Sequence, residues 1–362
     1  MRRLSKTSVV AVAAALVLTS CGSDNKSAAS GGGEDADVCK GSDGSGPKIG
    51  LAYDVGGRGD QSFNDAAYAG VKKAVEDLDA TCIEVKASAD DNDTTRAQRL
   101  RTLAEQGYDP IIGVGFIYSP AASEVAPDFP DTHFAVIDGY SQFVKPADNL
   151  VDLTFAEEQG SFLVGVAAAL KTETKKVGFL GGTHGDLIKK FEAGYTAGVH
   201  AIDPKIQVDV KYLTEDPADN ATGFENPAGG KTAAEGLYDG GDDIVYHAAG
   251  KSGIGLFEAA EAAGDGHWAI GVDSDQYLTA SEGQKKFILT SMLKRVDVAV
   301  FDVISAVADD SFKGPNVTYD LKSDGVGYST SGGYIDDIQD QIDEYAEKIK
   351  NGDVKVPTVP KG

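Results

Sequence analysis

The sequence predicts an α/β protein built as two similar lobes, each a doubly wound parallel sheet covered by helices. Three observations carry this prediction. From Lys48 onward, short apolar runs alternate with amphipathic stretches, the pattern of parallel strands joined by crossover helices. The series of runs occurs twice in succession. The stretch that carries them, roughly 310 residues, exceeds the usual size of one hydrophobic core.

The first series reads as strands KIGLAY (48–53), CIEVKAS (82–88), PIIGVG (110–115) and HFAVID (133–138), with helical segments such as 64–78 and 94–105 between them. LVDLTF (150–155) follows and leads into a Gly- and Ala-rich helix over 157–170. The second series is KVGFLG (176–181), VDVKYL (208–213), DIVYHAA (243–249) and WAIGVD (268–273), with helices near 186–200, 231–238 and 253–263. ILTSMLK (288–294), a helix near 296–308 and an amphipathic helix over 335–349 complete the order. This divides the chain into an N-terminal lobe of 48–155 plus 275–310 and a C-terminal lobe of 156–274 plus 311–355. Two open α/β sheets side by side leave a cleft at the carboxyl ends of their strands, where ligands bind in this architecture.

Ahead of the lobes, Arg2, Arg3 and Lys6 precede an apolar run from Val9 to Leu18 and then small residues, the layout of a secretory signal over 1–20. The run is too short for a permanent membrane span, and no second apolar segment is long enough either. Leu18-Thr19-Ser20-Cys21 resembles the cleavage box of bacterial lipoproteins. That resemblance implies a chain processed to begin at Cys21, acylated there, and held outside the cell membrane by the lipid. Residues 21–47 are Gly, Ser, Asp and Ala with almost no large apolar residue, which predicts a flexible tether and a folded body starting near Lys48. The net charge of −24 excludes nucleic acid and an anionic lipid surface as partners.

Besides Cys21 the chain has Cys39 and Cys82. Export places them in an oxidising compartment, where a pair is usually bridged. Cys39 lies just before the first strand and Cys82 opens the second, so parallel pairing brings both to one sheet edge. A Cys39–Cys82 disulfide is expected.

Enzyme chemistry finds no foothold. His133, His184, His200, His247 and His267 show no HExxH spacing, and no G-x-S-x-G elbow occurs. AAGKSG (248–253) imitates a phosphate loop, but Val245 stands where its first glycine belongs, and FLGGTHG (179–185) lacks G-x-G-x-x-G spacing. No metal and no cofactor is predicted.

The informative positions are strand ends. Asp54 follows KIGLAY, Asp138 ends HFAVID and Asp273 ends WAIGVD, so three carboxylates converge on the cleft from both halves. Carboxylates accept hydrogen bonds, which calls for a ligand rich in hydroxyl or N–H donors. Asp60-Gln61-Ser62-Phe63-Asn64 opens the first helix, with Ser62 as its cap and Phe63 beside the cleft; Phe191 holds the corresponding place in the second half. Lys294, ending the last apolar strand, is the cationic candidate.

Read in order, AYDVGGRGDQSFN, VIDG, FEAGYTAG, HAAGKSG, GVDSDQ and TSMLK resemble the signature segments of the basic membrane protein family of lipoproteins. The resemblance runs from Lys48 to about Lys294 and more loosely to the C-terminal helix. It implies a type I periplasmic-binding-protein-like fold whose lobes are joined by a multi-strand hinge and close on a ligand. It further implies capture of a purine nucleoside, of the inosine, adenosine or guanosine class, for the permease of an ABC importer. Phe63 and Phe191 would then sandwich the base, and Asn64 and Asp138 would read its polar edge. Asp273, Lys294, Asp54 and the Gly250 turn would hold the ribose hydroxyls. The sequence departs from the family at Gly250-Lys251, where neutral residues usually follow the glycine. The alternatives are a sugar or signalling-molecule receptor on the same fold and, in another class, an extracellular nucleoside hydrolase using paired carboxylates.

Overall fold

The computed structural model describes residues 37–87, 91–314 and 316–361. The signal over 1–20, the lipidation site Cys21 and the tether as far as residue 36 lie outside the described residues. Those described form two six-stranded sheets. The first is built from β1 (Lys48–Ala52), β2 (Thr81–Val85), β3 (Ile111–Gly113), β4 (Phe134–Ile137), β5 (Leu150–Phe155) and β11 (Asn316–Tyr319). The second holds β6 (Lys176–Thr183), β7 (Gln207–Thr214), β8 (Ile244–Ala248), β9 (Trp268–Asp273), β10 (Ile288–Lys294) and β12 (Val326–Tyr328).

The spatial orders are β11-β5-β4-β3-β1-β2 and β12-β10-β9-β8-β6-β7. Strand for strand these are one arrangement used twice, differing in the sense of the edge strand. β11 runs parallel to β5, while β12 runs antiparallel to β10. In both sheets the order reverses beside the first strand, which opens a crevice at the carboxyl ends.

Burial on both faces explains the continuous apolar runs. In β4, Phe134 and Val136 pack on one side of the sheet while Ala135 and Ile137 join the core on the other. β8 divides the same way, with Ile244 and Tyr246 on one face and Val245 on the opposite one. Helices close the layers. The Gly- and Ala-rich helix Glu157–Lys171 lies against Asp186–Ile202 so tightly that a Cβ on Gly198 would stand 2.0 Å from the Phe162 carbonyl oxygen. That approach is open to glycine alone.

Three passages join the lobes: from β5 into the helix Glu157–Lys171, from β10 into the helix Val296–Ala308, and from β11 to β12. Here the expected lobe boundaries need correction. Residues 275–294 belong with the C-terminal lobe, because β10 pairs in parallel with β9, Leu293 standing opposite Asp273. β11 belongs with the N-terminal lobe, Tyr319 opposite Phe155, although 311–355 was expected in the other. The helix Val296–Ala308 packs on Phe63–Leu78 and so lies with the N-terminal lobe.

The folded body also begins before Lys48. Cys39 is bonded to Cys82, the Ser45 amide and hydroxyl donate to Asp79 Oδ2 at 2.9 and 2.8 Å, and the Gly46 amide donates to the Asp79 carbonyl at 2.8 Å. A crosslink and one carboxylate hold a segment that has little apolar surface to bury. The disulfide spans a sequence separation of 43 residues, so replacing both cysteines with serine should lower the unfolding free energy by up to about 4 kcal/mol in urea titrations.

Candidate functional site

Between the carboxyl ends of the two sheets lies a pocket enclosing about 590 Å³, solvent at its mouth included. All eight residues singled out from the sequence line it: Asp54, Phe63, Asn64, Asp138, Phe191, Gly250, Asp273 and Lys294. Asp54 follows β1, Asp138 follows β4, and Asp273 and Lys294 are the last residues of β9 and β10. Phe63 and Asn64 open the helix Phe63–Leu78, Phe191 lies in Asp186–Ile202, and Gly250 starts a one-turn helix after β8.

Asp138 and Asp273 share an unusual backbone. Their φ angles are 59° and 62°, in the left-handed region that L-residues seldom enter and that Asp tolerates better than most. β4 and β9 are the fourth strands of their series, so the duplicated fold uses the same strained corner twice. Each corner turns a carboxylate into the pocket.

The start of the helix Phe63–Leu78 differs from expectation. Ser62 makes no side-chain cap bond. Asp60, 1 % exposed, takes that role: its Oδ2 accepts from the Asn64 amide (2.8 Å) and Nδ2 (3.0 Å), and its Oδ1 from the Ser62 (3.0 Å) and Asp65 (3.1 Å) amides. Two consequences follow. Asn64 Nδ2 is committed to Asp60, which leaves Asn64 Oδ1 buried without a partner. The Ser62 hydroxyl is released to reach the other lobe, 2.9 Å from Asp273 Oδ2 and 3.0 Å from the Val272 carbonyl.

Lys294, 2 % exposed, crosses the cleft in the opposite sense, with Nζ 2.6 Å from Asp138 Oδ2 and 3.8 Å from Glu157 Oε1. The rings of Phe63, Phe155 and Phe191 surround it at 4.9, 5.0 and 5.6 Å from their centroids. Burial disfavours the ammonium, but the carboxylates of Asp138, Asp273 and Glu157 outweigh it and hold the Lys294 pKa above its ordinary value. The carboxylates feel burial more. It raises Asp54 to about 7 against the hydrogen bond from the Val55 amide, and Glu157 to about 7 against Lys294 and Lys190. Asp60 rises to about 6 and Asp273 rises also, again chiefly through burial.

Three acceptor oxygens of pocket residues remain buried and unpartnered: Asn64 Oδ1, Asp138 Oδ1 and Asp273 Oδ1. A buried acceptor left unmade costs about 1–3 kcal/mol. The pocket is therefore built for a molecule that presents several donors and enough flat or apolar surface to lie among phenyl rings.

Asp60, Gly115, Phe116, Phe224 and Lys251 also line the pocket and were not proposed from the sequence as site residues. Gly115, φ 97°, is pressed against Asp54, since a Cβ there would lie 2.2 Å from Asp54 Oδ2. Aligning the two halves finds two of these, because Gly115-Phe116 after β3 corresponds to Gly250-Lys251 after β8. His247 is fully buried in β8, with Nε2 3.0 Å from Gln276 Oε1 and its pKa lowered to about 4 by burial.

Residues 48–359 match the Bmp family, described as ABC transporter substrate-binding protein PnrA-like. The chain belongs to this family. Among similar proteins, the CD4+ T-cell-stimulating antigen of Listeria monocytogenes is 36 % identical over 326 residues, 86 % of this chain and 88 % of the relative. The ABC transporter nucleoside-binding protein BmpA of Lactococcus lactis is 32 % identical over 372 residues, 99 % of each chain. Basic membrane protein A of Borreliella burgdorferi is 34 % identical over 316 residues, covering 86 % and 88 %. Among solved structures, an ABC transporter solute-binding protein from Aeropyrum pernix superposes with a TM-score of 0.75 at 27 % identity, over 87 % of this chain and 94 % of its own. This Bmp-family chain thus has the two-lobed type I periplasmic-binding fold and is a substrate-binding component of the ABC transporter class. Among the described residues no helix is long and apolar enough to cross a membrane.

The raised Asp54 has a signed consequence. Its ordinary value is 3.8 and its folded value about 7, so the folded state binds the proton more tightly and stability falls as pH rises through that window. Asp54→Asn should therefore stabilise the ligand-free protein by up to about 4 kcal/mol near pH 8 and by less than about 1 kcal/mol near pH 4, read as the pH dependence of its unfolding midpoint.

Proposed function

We propose that the pocket captures a purine nucleoside and that the chain delivers it to the permease of an ABC importer. The observation that carries the reading is the set of unpartnered acceptors, Asn64 Oδ1, Asp138 Oδ1 and Asp273 Oδ1, in a pocket walled by Phe63 and Phe191. A nucleoside answers both halves of that description. Its base is a flat π-surface for the phenyl rings, and its ribose hydroxyls and ring N–H groups are the donors. The nucleoside-binding name of the Lactococcus lactis relative supports the same ligand class.

In this reading Phe63 and Phe191 enclose the base and Asn64 with Asp138 reads its polar edge. Asp273, Asp54, Lys294 and the Gly250 turn hold the sugar. The pocket binds without turnover. Removal of a signal over 1–20 and lipidation of Cys21 would keep the acidic body beside the membrane, where a short leash raises its effective concentration at the permease.

Isothermal titration tests the ligand. Inosine should bind one to one and be recovered intact, whereas hypoxanthine or ribose alone should bind at least about a hundredfold more weakly, each lacking one half of the contacts. Asp273→Ala should abolish inosine binding; unchanged affinity rejects the site assignment. Ribose binding as tightly as inosine would make the protein a sugar receptor, and released base would make it a hydrolase.

A further inference from the structure

The two strained aspartates are used in the same divided way. Asp138, in the N-terminal lobe, gives Oδ2 to Lys294 of the C-terminal lobe at 2.6 Å and leaves Oδ1 buried and unpartnered. Asp273, in the C-terminal lobe, gives Oδ2 to the Ser62 hydroxyl of the N-terminal lobe at 2.9 Å and likewise leaves Oδ1 unpartnered. A return bond runs beside it, from the Ser274 hydroxyl to the Ser62 carbonyl at 3.1 Å. Ser62 is fully buried, and Asp60 has relieved it of capping its own helix.

We infer that Ser62 is a positioning residue that couples ligand capture to lobe closure: it holds Asp273 from the opposite lobe so that Oδ1 is presented to the ligand only when the lobes meet. The inference rests on the pocket being the ligand site. A carboxylate that is free to rotate gives a ligand hydroxyl a poorly placed acceptor; one fixed by a bond from across the cleft gives a directed one. The same bond makes occupancy and closure mutually stabilising, since each orders the carboxylate for the other. Lys294 serves Asp138 in the reciprocal sense, so each lobe's ligand-facing aspartate is steadied by the other lobe.

The test compares wild type with Ser62→Ala in the full chain, with inosine as the probe. Loss of a hydrogen bond to a carboxylate should raise the inosine Kd about tenfold, carried by faster dissociation with the association rate unchanged. Ser62→Thr, which keeps the hydroxyl, should restore slow dissociation. In parallel, amide exchange of the peptide spanning Val272–Ser274 should speed up in ligand-free Ser62→Ala while the rest of the second sheet is unaffected. A role confined to the helix start of Ser62 would not move that peptide. Unchanged dissociation of inosine from Ser62→Ala overturns the coupling. If the wild type takes up no inosine, the nucleoside reading fails on its own and the exchange measurement decides: faster exchange across the cleft supports the coupling, and unchanged exchange overturns it.

Discussion

Three carboxylates, Asp138, Asp273 and Glu157, are buried around the ammonium of Lys294, with Asp54 buried in the same pocket, and the geometry of the cleft follows from keeping that arrangement tolerable. Charge taken out of water costs several kcal/mol per ion unless it is closely paired. Lys294 meets the cost for Asp138 directly at 2.6 Å, and Lys190 shares Glu157 at 3.1 Å. Asp54 has no such partner among these contacts, and its proton affinity rises instead. The site is thus short of positive charge and of donors together. A ligand bearing hydroxyl and N–H groups supplies the second without adding more negative charge, which an anionic ligand would do.

The duplicated topology makes this economy possible. Because both sheets follow one strand order, the same corner recurs at Asp138 and Asp273, and the same glycine turn at Gly115 and Gly250. Facing the two carboxyl ends toward each other brings these elements into one pocket. The end of β3 gives a spacing device, Gly115 where a side chain would strike Asp54, whereas a Cβ at Gly250 would only touch Phe224; the fourth strand ends give the acceptors. What breaks the symmetry is the fifth strand: β5 ends in Phe155, packed beside Lys294, whereas β10 ends in Lys294 itself. One lobe supplies the cation and the other a ring of its cage.

How legible the molecule was in its sequence depended on whether a feature is local. β5, β9 and β10 are short, mostly apolar segments rich in branched residues, and their limits could be read residue by residue. The aspartates at strand ends were equally visible, since residue type and strand position together select them. The edge strands β11 and β12 were not: NVTY is largely exposed and VGY is three residues long, so neither leaves an apolar pattern, and the lobe boundaries went astray with them. Residues 38–47 looked like tether because their attachment is a crosslink and hydrogen bonds to Asp79, which composition does not record. Ser62 looked like a cap because serine before a helix usually is one. That Asp60, two residues earlier, closes the helix instead depends on a loop conformation set by its whole surroundings, including Gln61 at φ 55°.

At Asp138 and Asp273 local strain and a buried carboxylate coincide. Glycine at 138 or 273 would remove the backbone penalty, of order 1–3 kcal/mol, and the buried carboxylate together. It would also remove both the oxygen that bonds the opposite lobe and the one that stays unpartnered beside the pocket. A carboxylate accepts from two directions through separate oxygens, with no donor of its own, while sitting in a conformation that Asp tolerates better than most residues. An asparagine could hold the backbone, but its amide would present a donor where Lys294 Nζ or the Ser62 hydroxyl needs an acceptor, or where a ligand hydroxyl would bind. Of the departures from good local design, the two in the pocket thus fall on residues at which glycine or asparagine could not perform both tasks.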